Sequence, residues 1–454
     1  MTHNISKIYY SLLILLSIFT FSCDKENNAD NVPVEDRAKQ FIFEYMNQYY
    51  LWVNEIPAGI NPQSYSTPHE VLNAMRYKEH DSNLSFIQNL EEFRERKQSG
   101  KVSNAGFGVL LGSEVYDQNT LKSLYFMEVY TQSDAYQQGI RRGDQLLSVD
   151  GQSVDGANIN DFYSFIGTGD SGSSKDFTIL TSSGETKTLT VTKGAVYLDI
   201  FPHHEVKEID GKKVGYLVIR SFSYDPDQFK SEITSVLSNF QAEGISDLVL
   251  DMRYNGGGNV VNSQLIAEAI LPSTFTGKEF ISYQFNDIVG PGEDGLNETL
   301  TFQSSPTPLE LDRVFVLATG NTASASELII KALIPYIDVK VIGETTFGKP
   351  VGGYTYEHDE TNYMYYIMNF RVFNAQDETD YFDGIPADFE TLDGYMYPWG
   401  DANDPMLGAA LNYIQNGSYG PPARMAYPQG DIFPKHEMEE EKVIGLTIDA
   451  PNKF

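Results

Sequence analysis

Cysteine is almost absent from this chain. Cys23 is the single one among 454 residues, which excludes an intrachain disulfide and any cysteine-built metal cluster. Basic residues are scarce as well, 32 against 63 acidic, and the resulting net charge of −31 sets aside nucleic acid and anionic lipid headgroups as partners. The histidines form no His-Glu-x-x-His word, so neither a metal nor a cofactor is expected. No Gly-x-Ser-x-Gly is present either, which leaves a Ser/His/Asp esterase using His203, His204 or His358 with little support. A long apolar span is also missing. The run from Ile8 to Phe21 behind Lys7 is too short for an ordinary membrane helix and reads as a secretory signal peptide.

The cysteine sits where that signal ends. Thr20-Phe21-Ser22-Cys23 looks like a lipoprotein cleavage site, with Cys23 as the lipidated first residue and residues 24–35 as a polar tether. Several acyl chains, each buried CH₂ contributing about 0.8 kcal/mol, would anchor the protein. The expected place is a bacterial envelope, lipid-anchored in the outer membrane on its periplasmic or surface face. An ordinary secretion signal with an incidental cysteine is the alternative.

At 41% apolar, the rest of the chain can build two or three cored domains. Residues 36–100 read as helical: Phe41, Tyr45, Tyr49 and Trp52 recur at helical steps, followed by helices over 68–77 and 90–97. Residues 101–200 read as strands with glycine turns and one short helix. Residues 201–416 alternate strands and helices: a strand over 214–219, a helix over 226–243 and strands over 247–251 and 314–318, with a β-rich segment over 363–372 joining the sheet. From Gly417 to residue 454 the composition turns to proline and charge, and a poorly packed tail is expected.

Chemistry concentrates in three words of the third region. Asn321-Thr322-Ala323-Ser324-Ala325-Ser326-Glu327 places a serine where a helix begins. The plain reading is a capping box, Ser324 and Glu327 closing the first turn reciprocally. The functional reading is a nucleophile, because the free N–H groups of a first turn, such as that of Ala325, can hold an oxyanion. Thr345-Thr346-Phe347-Gly348-Lys349 supplies a lysine in an apolar-flanked turn, which burial can keep neutral and basic. Asp247-Leu248-Val249-Leu250-Asp251 reads as a buried parallel strand, and Gly256, Gly257 and Gly258 after it let backbone N–H groups approach a ligand.

Together these words resemble the C-terminal processing peptidases, or tail-specific proteases, and the resemblance covers most of residues 36–415. It implies Ser324 as nucleophile, Lys349 as base, and Ala325 with Gly257, or else Gly258, as oxyanion donors. Glu327 matches a glutamate often found at that point. A glutamine that many members carry four places after the lysine is replaced here by Gly353, which leaves Glu327 as a candidate third catalytic residue, or a backbone carbonyl or another side chain, to orient Lys349. Gly106-Phe107-Gly108-Val109 and Gly139-Ile140-Arg141-Arg142-Gly143-Asp144 resemble a PDZ domain, whose glycine loop would capture a peptide terminus.

The fold implied is an α/β multidomain chain: an N-terminal helical cap, a PDZ-like β-rich domain and an α/β protease core of the ClpP/crotonase kind. The function implied is a Ser/Lys endopeptidase acting on protein or peptide tails, with a catalytically weak peptide-binding lipoprotein as the alternative.

Overall fold

The computed structural model describes residues 32–292, 295–420 and 447–449. Cys23 and the signal segment lie outside them. The N-terminal unit holds α1 (Val34–Tyr49), α2 (Pro68–Met75), the short strand β1 (Phe86–Asn89) and α3 (Leu90–Ser99). The β-rich domain follows with β2 (Lys101–Gly106), β3 (Val109–Asp117), β4 (Thr120–Val129), α4 (Asp134–Gln137), β5 (Gln145–Val149), β6 (Gln152–Ser153), α5 (Ile159–Gly167), β7 (Ser174–Leu180), β8 (Thr186–Thr192) and β9 (Gly194–Tyr197). Next come β10 (His203–Ile209), β11 (Lys212–Val218), α6 (Pro226–Glu243), β12 (Asp247–Asp251), α7 (Val260–Ile270), β13 (Glu279–Phe285) and β14 (Glu298–Thr301). The chain continues through β15 (Arg313–Ala318), α8 (Ala325–Leu333), β16 (Asp338–Gly343), β17 (Val351–His358), β18 (Tyr363–Phe373), β19 (Phe389–Glu390), α9 (Pro405–Asn416) and β20 (Thr447–Asp449).

The central sheet runs β10-β11-β12-β15-β16-β19, parallel throughout except for the antiparallel edge strand β10. Its central strands β12 and β15 are buried along nearly their whole length because both faces are covered. Leu248, Leu250, Val314 and Val316 face α6, α7 and α8, whereas Val249, Phe315 and Leu317 face Met406, Leu407 and Ile414 of α9. Helix α6 starts at Pro226, its first turn capped by Asp225 accepting from the N–H groups of Asp227 and Gln228, and ends at the left-handed Gly244.

A second sheet, β14-β13-β18-β17-β20, holds β1 beside β18 as well. Residues 363–372 therefore do not join the sheet that carries Ser324, as the sequence suggested; β18 pairs with β13, β17 and β1 instead. The helical cap packs on this second sheet, with Ile42, Met46, Tyr50, Leu72 and Met75 against Tyr365 and Ile367. The β-rich domain has its own core, built on the sheet β3-β4-β5-β7-β8. The expected C-terminal tail is not featureless where it is described: Tyr419 stacks on Phe389, and Thr447–Asp449 pairs in parallel with Gly353, Tyr354 and Thr355. Among the described residues no helix is long and apolar enough to cross a membrane.

Candidate active site

Strands β12 and β15 are parallel neighbours, and their carboxyl ends deliver the two words that carry the glycines and the serine. After β15 the chain turns tightly, with the Thr322 hydroxyl donating to the Met252 carbonyl at 2.9 Å and the Ala323 N–H donating to the Asn255 carbonyl at 3.1 Å. Ser324 stands at the start of α8 with φ 59° and ψ −113°, a left-handed backbone that costs a non-glycine residue about 1–3 kcal/mol. It is buried.

Glu327 holds this turn. Its carboxylate is fully buried and accepts four hydrogen bonds: from the N–H of Ser324 (2.8 Å), the N–H of Lys349 (2.8 Å), the N–H of Gly348 (2.6 Å) and the hydroxyl of Thr346 (2.5 Å). Both halves of the expected capping box between Ser324 and Glu327 are thus present, and the Glu327 side chain also fixes the lysine loop. Burial pushes its pKa up, opposed by the Thr346 hydroxyl and the three N–H donors.

Lys349 is buried with its ammonium 5.2 Å from the centre of the Tyr366 ring. Burial lowers its pKa from 10.5 to about 8, while the carboxylates of Asp81 and then Glu327 pull the other way. Among the described residues its ammonium has no hydrogen-bonded or ion-paired partner. Gly348 before it has φ 91°, and a Cβ there would sit 2.2 Å from the Phe382 carbonyl. Gly353, at an irregularity of the β17–β18 ladder, would place a Cβ 2.0 Å from the Ile367 carbonyl, so this backbone admits no side chain at that position.

The glycine loop approaches Ser324 as closely as backbone can. A Cβ on Gly257 would lie 2.7 Å from the Ser324 Cβ and 2.9 Å from the Ala325 nitrogen. The Gly257 N–H donates to the Asn255 side-chain oxygen at 2.9 Å, whereas the Gly258 N–H has no acceptor among the described residues. Asn255 was not singled out by sequence reasoning. Its side-chain amide donates to the Ile219 carbonyl at 3.1 Å, and its own carbonyl accepts the Ser326 hydroxyl at 3.0 Å.

Behind the loop lies a buried ion network. Arg253 pairs with Asp251 (2.7 Å), Asp393 (2.8 Å) and Asp404 (2.8 Å). The β-rich domain contributes Arg142, whose guanidinium donates to the Tyr254 hydroxyl at 3.0 Å and the Tyr397 carbonyl at 3.0 Å and lies 3.5 Å from Asp393. It also contributes Glu128, which accepts from Arg220 at 2.7 Å; Arg220 in turn donates to the Tyr254 carbonyl at 2.5 Å.

Ser324, Ala325, Glu327, Lys349, Gly257 and Gly258 therefore come together around one turn. Gly106, Phe107, Gly108 and Val109 belong to the separate β-rich domain, with Phe107 buried in its core against Phe177. Strand β3 there pairs with β4 alone among the described strands, although the Tyr395 hydroxyl of the core donates to its Ser113 carbonyl at 3.3 Å. Among the described residues no group of three or more His, Cys, Asp or Glu side chains is placed to hold a metal ion.

Comparison with known proteins adds independent findings. A model of peptidase family S41 matches residues 213–391, and a model of the peptidase S41 N-terminal domain matches residues 37–86. A carboxyl-terminal-processing protease of Picosynechococcus is 29% identical over 262 residues, covering 57% of this chain and 58% of that protein. The carboxy-terminal processing protease CtpA of Bacillus subtilis is 28% identical over 231 residues, covering 50% and 45%. The chain thus spans about half of the length of these curated relatives. A putative S41 protease from Bacteroides fragilis has the same fold, with a TM-score of 0.68 and 23% identity over 82% of this chain and 96% of that one.

Proposed function

The chain belongs to peptidase family S41, and on that premise we propose that it is a serine endopeptidase using Ser324 as nucleophile and Lys349 as general base. The observation that carries this reading is Glu327, which ties the backbone of a strained serine to that of a buried lysine with pKa near 8. Such a lysine is partly neutral at neutral pH and can accept a proton.

In the proposed reaction the Lys349 amine takes the Ser324 hydroxyl proton as the serine oxygen adds to the scissile carbonyl. The resulting oxyanion is met by the N–H groups of Ala325 and of Gly258 or Gly257. The Gly257 N–H would have to leave Asn255 to take part, so Gly258 is favoured. Collapse breaks the C–N bond, and the Lys349 ammonium protonates the departing amine. Water then attacks the acyl ester with the neutral lysine again accepting the proton, which regenerates Ser324.

Residues 101–200 are proposed to capture an exposed peptide tail. The Gly106–Val109 loop would offer backbone N–H groups to its carboxylate, and β3 an edge for strand addition. Cys23 is proposed as a lipidation site that anchors the protein in the outer membrane of a bacterial envelope. The alternative of a catalytically weak peptide-binding lipoprotein draws on the Gly257 N–H being engaged by Asn255.

The test is hydrolysis of an unstructured protein with an apolar C-terminus by the chain from Asp24 onward, compared with Ser324→Ala. Cleavage lost in the variant with circular dichroism unchanged supports the peptidase. Equal inertness of both proteins, with substrate still bound, favours the binding protein.

A further inference from the structure

A base that accepts a proton becomes a buried cation, and something must stabilise it. Glu327 is already committed, its oxygens occupied by three backbone N–H groups and the Thr346 hydroxyl. Strand β17 offers nothing at Gly353, where a Cβ does not fit.

The remaining carboxylate comes from the N-terminal unit. Asp81 is fully buried and accepts from the Ser85 N–H (2.7 Å), the Ser85 hydroxyl (2.6 Å) and the Tyr50 hydroxyl (2.8 Å). Burial pushes its pKa up, and the two Ser85 donors, the Arg76 guanidinium and the Tyr50 hydroxyl oppose that by favouring the ionised form. The group is seated against β18. The Ser85 hydroxyl oxygen accepts the Met368 N–H at 3.0 Å, and the next residue, Phe86, is the partner of Tyr366 in the ladder. The Phe86 and Tyr366 rings lie 5.0 Å apart, and Tyr366 is the ring beneath the Lys349 ammonium. Asp81 thus stands beside the ring that carries the lysine.

On the Ser324–Lys349 reading above, we propose that Asp81 is a positioning residue of the reaction, its buried carboxylate stabilising the ammonium that Lys349 becomes on accepting the serine proton. The charged groups in play are few. Asp81 and Glu327 face Lys349, and Arg76 faces Asp81 while donating to the Ser82 carbonyl at 2.8 Å and to the Ser85 carbonyl. Tyr50 and Tyr366 are neutral, their phenols pushed well up by burial.

The test has two readouts on the chain from Asp24 onward. One is kcat/KM against pH with the unstructured substrate. The other is the titration of Lys349 by NMR of ¹³Cε-labelled lysine, its signal assigned by its loss in Lys349→Met. Asp81→Asn removes the anion and moves the acid limb of the profile, and the lysine titration with it, down by about one unit. Arg76→Gln removes the competing cation and moves both upward, which keeps the idea testable should Asp81→Asn not fold. Both midpoints unmoved in a wild type that cleaves, or moved in the opposite sense, overturn the role of Asp81. A wild type that never cleaves but whose Lys349 titration still drops in Asp81→Asn leaves the coupling intact and removes the peptidase reading instead.

Discussion

Lys349→Met tests the electrostatics of the site in two directions at once. Met has nearly the length of Lys without the ammonium, so packing is retained and the buried charge is removed. The fall from 10.5 to about 8 means that folding disfavours the charged lysine by about 3 kcal/mol, at about 1.4 kcal/mol per unit. Between those two values the unfolded chain binds more protons than the folded one, so stability rises with pH. The cost is therefore fully present below pH 8, fades between 8 and 10.5, and is gone above. Urea unfolding should show Lys349→Met more stable than wild type by about 3 kcal/mol at pH 7, the difference closing as pH approaches 10.5. The same variant should lose cleavage by at least about 10²-fold. In the wild type the neutral fraction is about a tenth at pH 7 and nine-tenths at pH 9, so kcat/KM should climb roughly tenfold across that interval. A variant less stable than wild type at pH 7, or a rate flat from pH 6 to 9, refutes the reasoning.

Two further outcomes follow from the geometry. Gly257→Ala forces a methyl group within 2.7 Å of the Ser324 Cβ at a φ of 104°, and kcat should fall by about 10²-fold or more while circular dichroism is retained. Glu327→Gln turns an amide toward N–H groups that need an acceptor, each lost charge-assisted bond costing about 1.5–3 kcal/mol. Its unfolding midpoint should drop, and any residual activity should show its acid limb at lower pH because an anion facing Lys349 is gone.

Local features of the fold were legible where short-range chemistry decides them. Helix α6 lies between a proline at its first position and a glycine just past its end, and its bounds match the sequence reading residue for residue. Strand β12 was legible because an apolar run closed by aspartates and followed by glycines has few other uses. The cluster of Ser324, Glu327 and Lys349 was legible as a resemblance, but the job of Glu327 was not. Its four donors come from two separate words, and only folding brings them to one carboxylate. The partners of β18 were missed because periodicity reports that a segment is a strand and is silent on which strand lies beside it. Asp81 carried no local signal at all, since His80-Asp81-Ser82 reads as an ordinary polar turn. Asn255 could have been suspected from its place just before three glycines.

The ion network behind the glycine loop bears on how this molecule can be engineered. The β-rich domain has its own sheet and core and looks like a cassette that could be cut out or exchanged. Removing it would take away Arg142 and Glu128 together. Asp393 would then lose Arg142, leaving Arg253 opposite Asp251, Asp393 and Asp404, and Arg220 would lose Glu128. Breaking one buried pair costs about 3–5 kcal/mol, and here two would be broken beside Tyr254, which leads into the loop that places Gly257 and Gly258 next to the serine. A graft that ignores these side chains would unsettle the loop beside Ser324, whereas a transplanted module carrying an arginine and a glutamate at the equivalent positions would keep its ion pairs in place.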